Sequence, residues 1–533
     1  MKHKYLKLTL MLCTALCLGL TSCGAIENDI NKESNVNKES NVNKENDSLK
    51  IEQEEIAVRP LGIYTGEYSE QEWSQTDNKM LAGVIYPIFG LEKTCAIDYP
   101  NLAKALSDLS EQKKSDAMEE YEDMILTAQD ELLYNLEYFN GLTTENTVTV
   151  RRSDTNVTSL LFHYYSYQGG AHGNYGYGSA NYNSQTGQQI KLEDVISNTN
   201  KLSDLVEKHL YEVYDTEAFY ENIDLKTYFL EEKNQITWTL DYNGITFYFN
   251  PYEIAPYAAG TFIITLTYDE YPDLFEGKYI EVPKNYAIEI SDNTIYHYDL
   301  NGDGDAEQLS IWKRADENYE CNQICINIDE QIIEDDLSAF DMDVVLVHLA
   351  DDKNYLYVES TSENDYKILT VYDLSKGIAV KIDSVAGGFY TSVLDEEKYV
   401  TVKLIITNPE EFLLDTYTDL LSTVHGHKIY SVGKNGLPVS EDELYVFDSE
   451  YIFTLLQSLE VEVVNEESGK ITGKKIIDAG TRVVYWRTDN ESVADLKLPD
   501  GTIGRIILDS GEWPRTINNV PIEEIFDNLL FAG

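Results

Sequence analysis

The most informative stretch of the chain is residues 147–192, TVTVRRSDTNVTSLLFHYYSYQGGAHGNYGYGSANYNSQTGQQIKL. Its two ends, Thr147–Tyr167 and Tyr175–Leu192, are rich in β-branched and aromatic residues, which predicts strands. Between them lies the turn Gly169-Gly170-Ala171-His172-Gly173, whose glycines allow backbone angles that other residues avoid. The stretch therefore predicts strands joined by a glycine-rich turn.

Helical and further strand signals surround this unit. Met80–Leu91 is apolar and β-branched enough for a strand, and Pro100 opens a helical stretch. The apolar residues after Pro100 recur at helical spacing: Leu102, Leu106, Leu109, Met118, Tyr121, Ile125, Ala128 and Leu132. A second helix is expected from about Leu202, and Asn243-Gly244 is typical of a hairpin turn. Because strands and helices are grouped without regular alternation, we predict an α+β domain over residues 58–283.

Two further regions follow this domain. Residues 285–449 contain short strands separated by acidic turns, which predicts a mostly-β region, either a meander or a partial propeller. In residues 452–531, short β-runs with glycine turns resemble a small SH3-like β-barrel of the kind appended to bacterial wall proteins, where such barrels often bind wall peptide. The predicted fold class is α+β, then mostly β, then an SH3-like barrel.

The composition excludes one broad class of partner. The 533 residues carry 40 Lys and Arg against 94 Asp and Glu, a formal net charge of −54. Phosphate contacts would be made against this repulsive field, so we expect no nucleic acid as a partner. Residues 58–283 carry 14 basic and 36 acidic side chains, a net charge of −22, which would steer a cationic protein toward them. General solubility explains the same charge without a partner.

The N-terminus predicts export and a lipid anchor. Three lysines precede an apolar stretch, residues 8–20, that is too short to span a bilayer. It ends in Leu20-Thr21-Ser22-Cys23, which resembles the lipobox of bacterial lipoproteins, where the cysteine receives diacylglycerol. We expect residues 1–22 to be a cleaved signal peptide and Cys23 to be lipidated at the outer face of the cell membrane. The polar repeats of residues 23–57 predict a disordered tether. A plain secretory signal is the alternative.

The remaining cysteines are too few for a disulfide scaffold. Cys321 and Cys325 either bridge across a local turn or stay reduced, and the sequence leaves both alternatives open. Cys95 has no obvious partner, so we expect a packing role for it.

Two motifs in the first region resemble a known family. The first is Tyr165–Gly173, with Asn181-Tyr182-Asn183 and Thr186-Gly187 after it, and the second is Phe249–Gly260, FNPYEIAPYAAG. They look like the paired domain of unknown function found in the extracytoplasmic part of lysozyme-sensing anti-sigma factors and beside some peptidoglycan deacetylase domains. The resemblance covers roughly residues 75–275 and implies a cell-envelope module, which in the anti-sigma relatives binds lysozyme directly. Because no sigma-binding segment, membrane-spanning helix or deacetylase-type run of Asp and His is visible, signalling by cleavage and deacetylase activity do not carry over.

The same motifs supply the candidate binding residues. Gly170 and His172 lie in the glycine turn, and Tyr252, Glu253 and Tyr257 lie in the second motif. Tyrosines offer large rigid contact area with a polar tip, so they suit a protein partner; equally, they can cap the domain's own sheet. His172 has no nucleophile or carboxylate at motif spacing, so we expect it to hold its turn by hydrogen bonds.

The acidic run Asp299–Glu307 predicts a calcium loop. Oxygen-bearing side chains at alternate positions, with Gly304 at the sixth, allow a tight loop to wrap a hard cation. The expected ligands of this structural calcium ion are Asp299, Asn301, Asp303, Asp305 and Glu307. Position twelve is Ser310 and not the usual glutamate, so an acidic β-turn without an ion is the alternative.

Two other motifs carry little weight. Ser110 and Lys113 match the Ser-x-x-Lys pattern of penicillin-recognising enzymes, but no partner motif accompanies them, so we interpret the match as chance. His425 and His427 can bind a metal, although an ordinary loop is the simpler interpretation.

Together these features predict a lipid-anchored cell-surface protein whose residues 58–283 bind lysozyme or a cell-wall component such as peptidoglycan, without enzymatic activity. Two alternatives stay open: a peptidoglycan-modifying hydrolase that uses His172 with distant carboxylates, and a structural envelope lipoprotein without a soluble ligand. A cleft in which His172 meets a carboxylate or a metal would favour the hydrolase.

Overall fold

A computed structural model describes residues 57–531, apart from residues 77, 135, 136, 138, 222, 234, 293, 316–320, 396–399 and 467. The predicted signal peptide, Cys23 and residues 24–56 of the predicted tether lie outside the described residues. Contacts group residues 56–533 into one unit. No helix within the described ranges is both long and apolar enough to cross a membrane.

Residues 58–283 contain strands and helices in groups, which confirms the α+β class predicted for them. Their elements, in chain order, are β1 (Ile63–Trp73), β2 (Met80–Leu91), α1 (Lys93–Asp98), α2 (Pro100–Tyr134), β3 (Leu142–Ser153), β4 (Val157–Tyr167), β5 (Asn174–Asn183), α3 (Leu192–Val195), α4 (Thr199–Val213), α5 (Leu225–Glu232), β6 (Thr237–Leu240), β7 (Gly244–Phe249), β8 (Phe262–Thr267) and α6 (Gly277–Ile280).

The rest of the chain is almost entirely β, as predicted. Its elements are β9 (Tyr286–Glu289), β10 (Ile295–Tyr298), β11 (Glu307–Ala315), β12 (Cys321–Ile328), β13 (Gln331–Ala339), β14 (Asp341–Leu349), β15 (Lys353–Ser362), β16 (Tyr366–Asp373), β17 (Val380–Ala386), β18 (Gly388–Phe389), β19 (Thr391–Asp395), β20 (Val400–Ile405), β21 (Phe412–Thr418), β22 (Val424–Val432), β23 (Pro438–Val439), β24 (Tyr445–Leu455), β25 (Leu459–Val464), β26 (Ile471–Ile477), β27 (Arg482–Thr488), β28 (Val493–Lys497), β29 (Ile503–Ile507), β30 (Thr516–Ile517), β31 (Val520–Pro521), α7 (Ile522–Ile525) and β32 (Phe526–Asp527).

Two of the sheets in this part are meanders, and a third has a mixed strand order. β10 to β13 form one sheet in sequence order, and β14 to β17 form a second one, extended by β9. The third is an eleven-stranded sheet with the order β18-β21-β22-β24-β27-β28-β29-β25-β26, in which β23 pairs with β22 and β32 pairs with β24. No closed barrel forms among the described residues, so the SH3-like barrel of residues 452–531 stays a prediction.

The long helix α2 covers one face of the first sheet. Its buried residues follow helical spacing: Leu102, Leu106, Ala117, Tyr121, Met124 and Ala128. They pack on β2 through Val84, Tyr86 and Phe89. An apolar stripe at i, i+3 and i+4 buries one side of a helix and leaves the other side in water. The other side of the helix is exposed and mostly polar, with Leu126 and the terminal Leu133 and Tyr134 as exposed apolar exceptions.

Local sequence signals set several element boundaries correctly, but the strand predicted over Tyr175–Leu192 ends at Asn183, and Leu192 begins α3. β2 has the predicted bounds, and the Asn243-Gly244 turn joins β6 and β7 as expected. The single strand predicted over residues 147–167 is wrong in one respect, because β3 and β4 are two strands joined at Asp154. Asp154 Oδ1 accepts hydrogen bonds from the N–H groups of Asn156 (2.7 Å) and Val157 (2.9 Å), and this turn reverses the chain.

Strand pairing crosses both of the predicted domain boundaries. The first sheet has the order β19-β20-β1-β2-β3-β4-β5, so two strands from residues 391–405 extend the N-terminal sheet. β1 and β20 pair from Ile63↔Ile405 to Gly66↔Val402, and a Cβ on Gly66 would clash with the carbonyl oxygen of Thr401. β24 itself spans residues 449–452. The three predicted regions therefore share sheets.

Two buried arginines of β3 tie the first sheet to its neighbours. Arg151 donates to both carboxylate oxygens of Asp241, which follows β6, at 2.9 Å each. Arg152 donates to Asp154 (2.6 Å) and to the carbonyl oxygens of Tyr279 (2.6 Å) and Glu281 (2.7 Å). A buried guanidinium needs such charged and carbonyl partners to offset the loss of hydration.

Candidate functional site

The glycine-rich turn connects β4 to β5 at one end of their hairpin. The two strands pair as far as Ser166 and Asn174. Gly169 and Gly170 have φ angles of +83° and +104°, which are strained for residues with a Cβ. The Tyr167 hydroxyl donates to the Gly170 carbonyl oxygen (3.1 Å). The predicted site residue Gly170 is therefore an exposed part of a turn that requires glycine.

The second motif forms a loop that Asn250 holds against the edge of β5. Asn250 Oδ1 accepts a hydrogen bond from the Tyr177 N–H (2.7 Å), and Nδ2 donates to the Tyr177 carbonyl oxygen (3.1 Å). The amide thereby makes the two hydrogen bonds that a neighbouring strand would make. Farther along, Tyr252 has a φ of +72° and is 58% exposed, and Tyr257 begins a single 3-10 turn. The loop and the glycine turn thus lie side by side.

We name His172, Tyr175, Tyr252 and Tyr257 the aromatic ledge. The rings of His172 and Tyr257 stack with centroids 4.2 Å apart and planes inclined by 21°. The ring centroids of Tyr175 and Tyr252 each lie 5.5 Å from that of Tyr257. The Tyr257 hydroxyl donates to the Gly173 carbonyl oxygen (2.6 Å), which holds the central ring against the turn. His172 and Tyr252 are exposed, so the ledge presents rigid aromatic area to solvent.

Glu253 lies beneath the loop and not on the ledge. Its Oε1 accepts a hydrogen bond from Asn250 Nδ2 (3.4 Å), and its Oε2 is buried without a hydrogen-bond partner in the described part of the chain. Burial raises the pKa of the Glu253 carboxyl. Burial, together with the charge of Glu253, raises the pKa of Tyr228 to about 12. The structure places this predicted binding residue where it supports the loop.

The C-terminal half of α2 forms an acidic face beside the glycine turn. Residues 115–134 contain no Lys or Arg, and all their acidic side chains are exposed: Asp116, Glu119, Glu120, Glu122, Asp123, Asp130 and Glu131. Glu120 accepts hydrogen bonds from Gln168 Nε2 (2.9 Å) and Thr144 Oγ1 (3.0 Å). A Cβ on Gly169 would lie 3.6 Å from a carboxylate oxygen of Glu131. These contacts join the acidic face to the turn.

A shallow groove of about 460 Å³ separates α2 from the glycine turn. Its lining combines Gln168, Met124 and Thr127 with four carboxylates, those of Asp116, Glu119, Glu120 and Asp123. The turn therefore has aromatic rings on one side and negative charge on the other. Sequence reasoning missed the acidic face as part of a site, although the lack of basic residues over residues 115–134 was a usable signal.

His172 does not meet a carboxylate in the described structure. Its Nδ1 lies 2.9 Å from the carbonyl oxygen of the adjacent Gly173, and its ring stacks on Tyr257. The described residues include no group of three His, Cys, Asp or Glu side chains placed to hold a metal ion. The geometry around His172 is that of a residue that holds a turn and displays one ring face.

The acidic loop of residues 299–307 is closed by its own hydrogen bonds. The two carboxylate oxygens of Asp299 accept from the N–H groups of Gly302 (2.7 Å) and Gly304 (3.0 Å). The carboxylate of Glu307 accepts from Leu300 N–H (2.7 Å) and from the amide of Asn301. Each oxygen keeps a further lone pair for a cation. The loop fits the acidic-turn alternative as it stands, and calcium remains a prediction.

The cysteine alternatives are resolved by strand geometry. Cys321 and Cys325 lie on one continuous strand, β12. Four residues of a strand span about 13 Å, whereas bridged Cα atoms lie within about 7 Å. The predicted bridge across a local turn is therefore wrong, and Cys325 is a free buried thiol. Cys95 accepts a hydrogen bond from Gly62 N–H (3.2 Å) and packs against the apolar cluster between the first sheet and α2, as expected.

The remaining motifs also have structural roles. Ser110 Oγ accepts from Phe89 N–H (3.4 Å), and Lys113 Nζ lies 4.4 Å from the centroid of the Phe162 ring. His425 and His427 lie on β22 and not in a loop. The ring of His425 contacts that of Tyr417, and the ring of His427 contacts that of Tyr390. His427 Nδ1 also lies 3.4 Å from an Asp448 carboxylate oxygen.

The fold and the site together define an α+β and β-rich protein that displays an aromatic and acidic surface. Residues 193–269 match the DUF3298 family, described as a protein of unknown function. This confirms the predicted resemblance to a domain of unknown function for a segment that includes the second motif.

Two solved structures are similar to part of the chain. One is a member of the DUF3298 family from Bacteroides fragilis, with 19% sequence identity over 41% of this chain and 96% of that chain and a TM-score of 0.32. The other is a DUF3298 family protein from Pseudomonas aeruginosa, with 15% identity over 42% of this chain and 98% of that chain and a TM-score of 0.28. No curated protein matches the chain.

Proposed function

We propose that this protein is a lipid-anchored cell-surface binding protein whose residues 58–283 bind a cationic protein, with lysozyme as the first candidate. The observation that carries the proposal is the pairing of the exposed aromatic ledge with the acidic face of α2 on either side of one glycine turn. Neither surface is needed to close the fold's own core. Both are features that protein interfaces use.

The two surfaces contribute different terms to binding. Stacked rings such as Tyr257 and His172 bury large area at a low cost in side-chain entropy, because their positions are already held. The carboxylates of α2 attract a cationic partner over a distance of about 8 Å at physiological salt and speed its encounter. A partner with exposed Lys and Arg around an apolar patch fits this combination.

The cellular placement rests on the sequence. Cys23 would carry the lipid, and residues 24–57 would hold the folded part away from the outer face of the membrane. The same proposal keeps residues 452–531 as an SH3-like site for wall peptide and calcium as a structural ion of the 299–307 loop. A Cys23→Ser variant that still fractionates with membranes would overturn the lipid anchor.

Titration calorimetry with hen lysozyme tests the binding proposal on residues 24–533. We expect a dissociation constant in the micromolar range or tighter. The variant Glu119→Gln/Asp123→Asn/Asp130→Asn should weaken binding by about tenfold at low salt, because three rim charges contribute together about 1–2 kcal/mol. Tyr252→Ala should weaken binding at every salt concentration, since its contribution is contact area.

The matched control removes the same number of charges elsewhere. Asp478, Glu512 and Glu523 are exposed residues of the C-terminal region, and the variant Asp478→Asn/Glu512→Gln/Glu523→Gln changes the net charge equally. If this control weakens lysozyme binding as much as the α2 variant does, net charge alone explains the attraction and the site is wrong. Absence of binding at low salt would also overturn the proposal.

A further inference from the structure

A second groove, of about 500 Å³, lies along the edge of β5 beyond Asn250. It is bounded by β5, by residues 189–193, and by Lys233 and residues 235–238, which lead into β6. This volume is typical of sites that hold a small ligand. The groove is separate from the aromatic ledge, because Asn250 occupies the edge of β5 between them.

β6 contacts β5 through side-chain hydrogen bonds and does not pair with it. Thr237 Oγ1 donates to the Tyr177 carbonyl oxygen (3.0 Å), and the Trp238 N–H donates to Ser179 Oγ (3.3 Å). Asn181 Nδ2 donates to the Trp238 carbonyl oxygen (2.9 Å). β6 belongs to a separate sheet, and β5 is the last strand of the first sheet. Among the described residues, no strand therefore pairs with the outer edge of β5.

The main chain of Ser179 faces the open outer edge of β5. Alternate residues of an antiparallel strand turn their N–H and C=O groups to the same edge. At Tyr177 these groups point away from β4, since Asn250 binds both of them, and the groups of Ser179 must point the same way. At Asn181 the carbonyl oxygen is already used by Ile190 N–H (2.7 Å). Ser179 thus offers one donor and one acceptor to a ligand in the groove.

The groove carries positive charge in an acidic region. Lys191, Lys233 and Glu193 line it, which gives the groove one net positive charge, whereas residues 58–283 have a net charge of −22. Lys191 Nζ lies 3.9 Å from Glu193 Oε1, and both side chains are more than half exposed. An ion pair this exposed is weak, so the ammonium group remains able to bind an anion. The charge favours a ligand with a carboxylate.

The geometry points to a binding site for a short extended peptide with a free C-terminal carboxylate. The peptide's main chain pairs with the N–H and C=O groups of Ser179, and its carboxylate binds at Lys191 and Lys233. Adding a strand to an open sheet edge is an established mode of peptide recognition. This site goes beyond the proposed function, since its ligand has the opposite charge to lysozyme and occupies a different part of β5.

Calorimetry with defined tripeptides on residues 24–533 tests the site. We expect tri-alanine with a free carboxylate to bind, and tri-alanine amide to bind at least about tenfold more weakly. Methylation of the central amide nitrogen should cause a similar loss, because it removes the donor to the Ser179 carbonyl oxygen. A tripeptide whose last two residues are D-configured distinguishes two sources of the natural ligand. Tighter binding than that of the L-peptide indicates a wall peptide, and weaker binding indicates a protein C-terminus.

The protein-side variant is Lys191→Gln/Lys233→Gln, with Lys201→Gln/Lys208→Gln on α4 as the matched control. The groove variant should lose the preference for the free carboxylate over the amide, and the control should keep it. Both variants should bind lysozyme like the parent, which separates failure of this site from failure of the proposed function. The assignment would be overturned if the parent bound tri-alanine and its amide equally, or if the two variants had equal effects. It would also be overturned if tri-alanine did not bind at 10 mM, roughly the weakest affinity of interest.

Discussion

Replacing Glu359 with Gln should make folding stability less dependent on pH. Glu359 lies in β15 and is 3% exposed. Its carboxylate accepts a hydrogen bond from the N–H of Phe389 and lies 3.8 Å from Lys367 Nζ. The same ammonium group lies 3.6 Å from Asp415, so one buried cation serves two buried carboxylates. Burial raises the pKa of Glu359 to about 7.

The sign of the effect follows from the direction of this change. The pKa of Glu359 is higher in the folded state than the value of 4.5 for an unperturbed carboxyl group, so the folded state holds a proton between about pH 4.5 and pH 7. The contribution of this group to the free energy of unfolding is therefore fully present below pH 4.5 and is lost as the pH rises through 7. At about 1.4 kcal/mol per pKa unit, the loss amounts to about 3 kcal/mol.

Urea unfolding at several pH values between 4.5 and 8 measures this loss. The glutamine side chain keeps an acceptor for the Phe389 N–H and carries no charge. The free energy of unfolding of Glu359→Gln minus that of the parent should therefore rise by about 3 kcal/mol over this range. Glu363→Gln, at an exposed position nearby, is the control and should give a flat difference. A flat difference for Glu359→Gln as well would refute the reasoning.

Three further outcomes are expected. If the 299–307 loop binds calcium, a chelator should lower the melting temperature of the parent, and Asp303→Ala should abolish that response; an unchanged melting curve in the parent would remove calcium from the account. Arg151→Met should lower the free energy of unfolding by about 3–5 kcal/mol, since it leaves a buried carboxylate without its partner, and a loss below 1 kcal/mol in urea would contradict the structural role of this pair. Unfolded, unreduced protein should be alkylated at both Cys321 and Cys325, and mass spectrometry that finds them linked would contradict the strand geometry.

Short-range signals predicted the types of element well. The bounds of β2 follow from one uninterrupted apolar run, and the buried stripe of α2 follows from helical spacing. The division of residues 147–167 at Asp154 was missed, because the β-propensity of the flanking residues is high and the turn is made by one side chain. The only sequence signal of this turn is the short polar run Ser153-Asp154-Thr155-Asn156.

The candidate site was predicted in its parts but not as an arrangement. The glycine turn and the tyrosine loop were each identified from their residues, and His172 was expected to hold its turn. That His172 stacks on Tyr257, and that Glu253 lies beneath the loop, follows only from packing. The acidic face of α2 was missed because charge was counted over the whole region and not along each helix face.

The sequence by itself determined the kinds of element, their approximate order and the strong acidity, because these depend on neighbours a few residues apart. Tertiary structure alone decided which strands pair and which loops meet. β1 pairs with β20, far away along the chain, and Asn250 binds Tyr177 in place of a strand. The physical reason is that every strand offers the same main-chain donors and acceptors. The choice of partner therefore depends on side-chain packing and buried charge in three dimensions, which no local pattern records.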